Sequence, residues 1–295
     1  MTYATREVEV PDGRLTVGQW KTGDRPVLAI HGLSSTHKLW LWTAARLSGY
    51  DLLAPDLRGR GASQGVRPRY GIGVHADDMV AVLDQFGVEK AIVAGMSLGG
   101  FIAVRLAASH PERVERLLLI DGGLPMMTAS AFNAMTREQV AGAFRDRFQR
   151  IEQTWPSFEA YRDFVVKATM PLLSTDDPLL AENLRYDLVG DAPDLRVRLD
   201  GNGMAEDAAD LFLSDDAERA AQSLTMATHM LYAEWSSGRG TPAAYTAEYL
   251  QRWRSRIPGF KATMLPGTDH AASVMTASSG AAIAAEIDAM ARVAV

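Results

Sequence analysis

The chain contains no cysteine. That excludes disulfides, a thiolate nucleophile and cysteine-ligated zinc, so any chemistry must rest on other groups. Basic residues are also short of acidic ones, 30 against 36 for a net charge of −6, and no Lys/Arg cluster is interleaved with aromatics. A nucleic-acid partner is therefore not expected. Long apolar runs are missing as well. The uncharged stretch Ala91 to Val104 is too short and too glycine-rich to span a bilayer, and Arg6, Glu7 and Glu9 stand where a secretory leader needs an apolar core. The expectation is a cytoplasmic protein without a membrane partner. No His/Asp/Glu spacing resembles a metal site. Gly59-x-Gly61-x-x-x-Gly65 departs from a dinucleotide fingerprint, because its third glycine comes one position late and no helix begins there. No cofactor is implied.

What is present is enough for a large core. The chain has 295 residues, 47% of them apolar, and its pattern turns on Ala91-Ile92-Val93-Ala94-Gly95-Met96-Ser97-Leu98-Gly99-Gly100. The β-branched apolar run predicts a buried parallel strand, and Phe101 to Ala108 predicts a helix packed back on it. Ser97 falls between them. A turn that tight needs small residues at 95 and 99, which predicts a nucleophile elbow with the serine oxygen lifted clear of the sheet.

The remaining elements repeat this alternation. Arg6 to Val10 and Leu15 to Trp20 form a hairpin about Pro11-Asp12-Gly13. Pro26 to Ile30, Tyr50 to Ala54 and Val114 to Ile120 are strands, with helices about Leu39 to Leu47 and Val74 to Phe86. After about residue 224, Thr228 to Ala233 and Lys261 to Leu265 are strands, and Thr241 to Arg256 and Gly280 to Val293 are helices. Together these predict an α/β fold: a mostly parallel sheet of about eight strands with helices on both faces and a site at the carboxyl ends of the strands. Residues 1–123 and 225–295 form the core.

Residues 124–224 differ, having no buried β-branched run. Thr136 and Gln139 make a capping box, and Val140, Phe144 and Phe148 recur on one helical face, as do Phe158, Tyr161, Phe164 and Val165. An inserted helical cap is expected, its aromatics and methionines mostly holding it together. Met126 and Met127, nearest the junction, are the candidates for a substrate-pocket wall.

A serine hydroxyl needs a base within hydrogen-bond reach. Of the six histidines only His270 follows the last core strand, downstream of the cap. His31 abuts the loop after the third strand and has a structural place. An oxyanion would need two aimed N–H donors, expected from Leu98, next after the serine, and Leu33, after His31-Gly32. All these groups lie in core loops. The cap is thus expected to select the substrate, a small molecule, more than to serve the chemistry.

Ile30-His31-Gly32, Asp56-Leu57-Arg58-Gly59-Arg60-Gly61-Ala62-Ser63, Gly95-Met96-Ser97-Leu98-Gly99-Gly100 and Gly267-Thr268-Asp269-His270 resemble the α/β-hydrolase superfamily. The likeness covers both core segments and not the cap, and is closest to capped esterases, lactonases and carbon–carbon bond hydrolases. It implies a Ser-His-Asp triad, and a serine at 97 argues against dehalogenase or epoxide hydrolase chemistry. One departure concerns the acid. The family's usual place, shortly after Thr228 to Ala233, reads Glu234-Trp235-Ser236-Ser237-Gly238 without aspartate. A minority of the family carries the acid after the strand that follows the nucleophile helix, where this chain has Asp121. Asp121 is therefore expected to be the acid, with Glu234 as the competitor and Asp269 too close to His270 in sequence to face it. The expected function is hydrolysis of a small, largely apolar ester or lactone through an acyl-serine. Alternatives are carbon–carbon bond or thioester hydrolysis on the same site, or, in another class, a ligand receptor with little turnover.

Overall fold

The computed structural model describes residues 1–126, 135–147, 149–214 and 216–292. The strands are β1 (Thr2–Val10), β2 (Gly13–Lys21), β3 (Arg25–Ile30), β4 (Tyr50–Pro55), β5 (Ala91–Met96), β6 (Val114–Ile120), β7 (Leu188–Val189), β8 (Arg196–Val197), β9 (Thr228–Ala233) and β10 (Lys261–Leu265). The helices are α1 (Leu41–Ala44), α2 (Ile72–Gln85), α3 (Leu98–Ser109), α4 (Arg137–Arg147), α5 (Phe158–Thr169), α6 (Pro178–Tyr186), α7 (Gly201–Leu213), α8 (Asp216–Gln222), α9 (Ala247–Gln251) and α10 (Ala277–Arg292).

Eight strands form one sheet in the order β1-β2-β4-β3-β5-β6-β9-β10. The β1–β2 hairpin and the β2–β4 pairing are antiparallel, and every pairing from β4 to β10 is parallel. Side chains alternate across the sheet, as the two-residue period requires. Leu28, Ile30, Val93, Leu117 and Leu119 pack with α2 and α3. Val27, Ala29, Ile92, Ala94, Leu118 and Ile120 face the other way, against Trp40, Trp42, Ile283 and Ile287. Burial on both faces is why these strands read as continuous apolar runs. Because β4, β3, β5, β6, β9 and β10 are parallel, the loops after Ile30, Pro55, Met96, Ile120, Ala233 and Leu265 emerge at one sheet end.

Between β6 and β9 the described segment is mostly helical. Thr136 N–H donates to Gln139 Oε1 (2.7 Å) and Gln139 N–H to Thr136 Oγ1 (3.2 Å), a reciprocal cap on α4. Val140 is buried and Phe144 stacks on Phe212 of α7 at 5.4 Å; Phe148 lies outside the described residues. The small antiparallel pair β7–β8 lies within this stretch, where the sequence suggests only helices. Two residues per strand are too few to show a period. Tyr161, Val165, Leu180, Leu184 and Met204 from this segment join the second apolar cluster.

Two core helices are shorter than expected. The segment from His37 is a 3-10 turn to Trp40 followed by the four residues of α1. In the other, α9 starts at Ala247 because Thr246 takes the Tyr249 N–H with its hydroxyl, while the preceding Tyr245 is drawn into the core and donates to Leu124 O at 2.6 Å.

Candidate active site

Ser97 stands between β5 and α3 with φ 53° and ψ −122°. Its N–H donates to Ile120 O (3.0 Å) and its carbonyl accepts Gly100 N–H (2.9 Å), so the turn is held on both sides. A Cβ at Gly95 would meet the Gly99 carbonyl, and one at Gly99 would meet the Ile30 and His31 carbonyls. These are backbone atoms that cannot move aside, so only glycine permits the strand and helix to approach this closely. Among the described residues only three that are not glycine have positive φ: Asp12 in the hairpin turn, Ser97, and Asp121 at 43°. Such backbone costs about 1–3 kcal/mol per residue and persists where the surroundings over-determine it. Outside the hairpin, the chain places that strain at the candidate nucleophile and the candidate acid.

Asp121 follows β6 directly beside the elbow: a Cβ on the next residue, Gly122, would meet the Ser97 backbone. Its side chain is 1% exposed, and Oδ1 accepts the Ala233 N–H at 3.0 Å while Oδ2 lies 2.6 Å from His270 Nδ1. The carboxylate thus spans from the end of β9 to the histidine loop. The His270 side chain is 40% exposed. Among the described residues no hydrogen bond joins Ser97 Oγ to His270 Nε2. Unliganded sites of this kind often have loose catalytic contacts that tighten on binding.

The competing acids are engaged elsewhere. Glu234 Oε2 accepts the Gly267 N–H (2.8 Å), and Asp269 accepts the Gly238 N–H (2.8 Å) and the Ala272 N–H (2.9 Å). Both shape the loop that carries His270 without facing its ring. Leu98 is the first residue of α3, where backbone N–H groups have no partner within the helix. A Cβ on Gly32 would lie 3.3 Å from Ser97 Cβ, which sets the loop carrying Leu33 against the serine. His31 is fully buried, with Nδ1 at 2.7 Å from Gly32 O and Nε2 accepting the Leu57 N–H at 3.0 Å. Burial pushes its pKa down to about 3, against the pull of nearby Asp56, so the ring is neutral and its proton sits on Nδ1. Met126 is half-buried and packs against the α2–α3 cluster; Met127 lies outside the described residues.

Three residues to which the sequence reading gives no role surround the Leu33 loop: Arg60, which lies within the Asp56–Ser63 motif, Arg150 and Asp207. Arg60 donates from Nε to Leu33 O (3.0 Å), and Arg150 from Nη2 to Ser34 O (2.9 Å). Asp207 of α7 sits 2.6 Å from Arg60 Nη1 and 2.9 Å from His75 Nε2. Burial raises the Asp207 pKa, but His75 and Arg60 outweigh it and hold the carboxyl at about 2. Only a buried-charge partnership linking distant stretches of chain could have flagged them. No group of three His, Cys, Asp or Glu able to hold a metal occurs among the described residues, and no helix among them is long and apolar enough to cross a membrane.

Comparison with known proteins agrees with this architecture. Residues 25–155 match the family described as alpha/beta hydrolase fold. Lipase LipV of Mycobacterium tuberculosis is 36% identical over 100 residues, 34% of this chain and 38% of that protein. The chain spans well under half the length of such curated relatives. Among solved structures, E-2-(acetamidomethylene)succinate hydrolase superimposes with a TM-score of 0.80 at 23% identity, covering 97% of this chain and 100% of that one. A thioesterase domain from the curacin biosynthetic pathway gives 0.77 at 19% identity, covering 97% and 99%. With the sheet order and the glycine-walled elbow, these likenesses show that the chain has the α/β-hydrolase fold.

Proposed function

We propose that the chain is a serine hydrolase that cleaves a small, largely apolar carboxylic ester or lactone through an acyl-serine. The observation that carries this reading is the His270–Asp121 pair held at the strand ends beside the Ser97 elbow. Asp121 fixes the His270 proton on Nδ1, leaving Nε2 as the base that takes the Ser97 hydroxyl proton. The serine oxygen attacks the carbonyl carbon, and the oxyanion is received by the Leu33 and Leu98 N–H groups. His270 then returns the proton to the departing alcohol, and a water activated by the same nitrogen releases the acid. For a lactone the departing alcohol stays attached and leaves with the product. Met126 and Met127 are the proposed pocket wall, residues 124–224 the lid.

Neighbours described as a lipase, a thioesterase and a hydrolase of an acetamidomethylene succinate show how varied the substrates of this fold are, so the acyl group is a matter for assay. The experiment is turnover of a panel of p-nitrophenyl esters and aliphatic lactones, with and without a fluorophosphonate. The expected result is turnover abolished in proportion to phosphonate on Ser97. Full labelling of Ser97 with no turnover of any ester or lactone would overturn the hydrolase reading in favour of a ligand receptor.

A further inference from the structure

The loop that carries Leu33 is held by an unusual set of charges. Gly32 O accepts the His31 Nδ1 proton, Leu33 O accepts Arg60 Nε–H, and Ser34 O accepts Arg150 Nη2–H. Three successive peptide planes are thereby pinned, and the first of them contains the Leu33 N–H. Arg60 is fully buried and Arg150 is 5% exposed. Neither charge could stay in such a place for neutral carbonyls alone, Leu33 O and Arg58 O for Arg60 and Ser34 O for Arg150, because desolvating a guanidinium costs more than those bonds return. Each is paired with an aspartate from the segment between β6 and β9. Asp207 lies 2.6 Å from Arg60 Nη1. Asp187 lies 4.0 Å from Arg150 Nη1 and is bridged to it by Tyr161, whose hydroxyl accepts from Nη1 (2.6 Å) and donates to Asp187 Oδ2 (2.9 Å).

We infer that the lid positions the oxyanion loop: Arg150, with Asp187 and Tyr161, and Asp207, acting through Arg60, are positioning residues that hold the Leu33 N–H in line for the developing oxyanion. This rests on the acyl-serine reading above, and it adds a catalytic task to a segment that the sequence suggests serves selection more than chemistry. A purely structural role, tying lid to core, would need the arginines to meet any surface of the core. They meet adjacent carbonyls of a loop that lies against Ser97, Arg60 also donating from Nη1 to Arg58 O at 2.7 Å.

The variants are Arg150→Met, Arg150→Lys and Asp207→Asn, read with p-nitrophenyl butyrate, a trifluoromethyl ketone that forms a tetrahedral serine adduct, and the corresponding alcohol, which does not. Arg150→Met and Asp207→Asn should each lose about ten- to a hundredfold in kcat, less than the 10²–10³ of deleting an oxyanion donor. KM should stay within threefold, ketone affinity should fall with kcat, alcohol affinity should hold, and Arg150→Lys should recover most of the loss. Hydrogen exchange of residues 31–36 should quicken in Arg150→Met while 98–109 keeps its protection. A folded Arg150→Met with kcat and ketone affinity within threefold of wild type overturns the inference. So does a loss matched by equal loss of alcohol affinity. The exchange measurement needs no turnover, so a wild-type chain inactive on every ester would sink the hydrolase reading while the loop clamp is still tested, and unchanged exchange at 31–36 would sink the clamp alone.

Discussion

Asp121 Oδ2 lies 2.6 Å from His270 Nδ1, although 149 residues separate the two in sequence. The contact is possible because β6 and β9 are neighbours and β9 pairs with β10, so the loops after β6 and β10 open at the same sheet end. Asp121→Asn should keep the Ala233 N–H bond through its remaining oxygen but present an amide N–H₂ toward Nδ1, favouring the wrong tautomer. A loss in kcat of about 10⁴ is expected with little change in Tm. Glu234→Gln can still accept the Gly267 N–H and should stay within tenfold of wild type. Steady-state kinetics on one ester checks both. Near-normal Asp121→Asn beside a collapsed Glu234→Gln would move the acid to the loop after β9.

Ser97→Ala should abolish ester turnover and leave Tm within a few degrees. The backbone bonds that hold the turn, to Ile120 O and from Gly100 N–H, do not involve the hydroxyl. Turnover within tenfold of wild type would exclude an acyl-serine. A purified Ser97→Ala protein that still reacts stoichiometrically with the fluorophosphonate would place the nucleophile at another residue.

The tight turn at Ser97, the position of His270 after the last strand and the succession of strands and helices along the chain were legible because each is local. Glycines at 95 and 99 flank a serine after a β-branched run, and His270 follows the last buried strand. The Asp121–His270 contact was expected only through the family resemblance, since it depends on which loop reaches Nδ1, a matter of sheet neighbours. In one dimension Glu234 stands as the competitor and Asp269 is set aside only for its adjacency to His270; the structure shows both occupied by backbone N–H groups. The clamp on the Leu33 loop was not legible at all. Arg60 and Asp207 are 147 residues apart and Arg150 and Ser34 are 116 apart; Arg60 lies within the Asp56–Ser63 motif but without an assigned role, and nothing in the local sequence of Arg150 or Asp207 distinguishes them from solvated surface charges. The β7–β8 pair was too short to show a period.

Gly99→Ala tests the packing beneath the elbow. The new methyl would press on the Ile30 and His31 carbonyls, which are themselves fixed at the end of β3. Overpacking of this kind costs about 1–3 kcal/mol, and here the strand cannot retreat without carrying the Leu33 loop with it. Urea unfolding should show that loss, and kcat should fall with it. A variant as stable as wild type would mean that β3 and α3 are less closely apposed than the structure indicates.

His31 should make stability depend on pH in a definite direction. In the folded chain its Nε2 must stay unprotonated to accept the Leu57 N–H, and burial holds its pKa at about 3 against 6.5 when exposed. Between those two values the unfolded chain binds a proton at this site and the folded chain does not. The contribution is therefore complete above pH 6.5 and is lost as pH falls, by about 1.4 kcal/mol per pH unit until the folded ring itself protonates. His31→Gln can neither gain nor lose a proton there. It should be less stable than wild type at pH 8, where the two ring bonds are missing, yet its stability should fall less steeply from pH 6 to pH 4. Urea midpoints measured at pH 4, 5, 6, 7 and 8 for both proteins give the two slopes. Their difference should approach 1.4 kcal/mol per pH unit. Equal slopes would show that the folded chain accepts the proton, and the neutral Nδ1–H form assigned to His31 under the Leu33 loop would then be wrong.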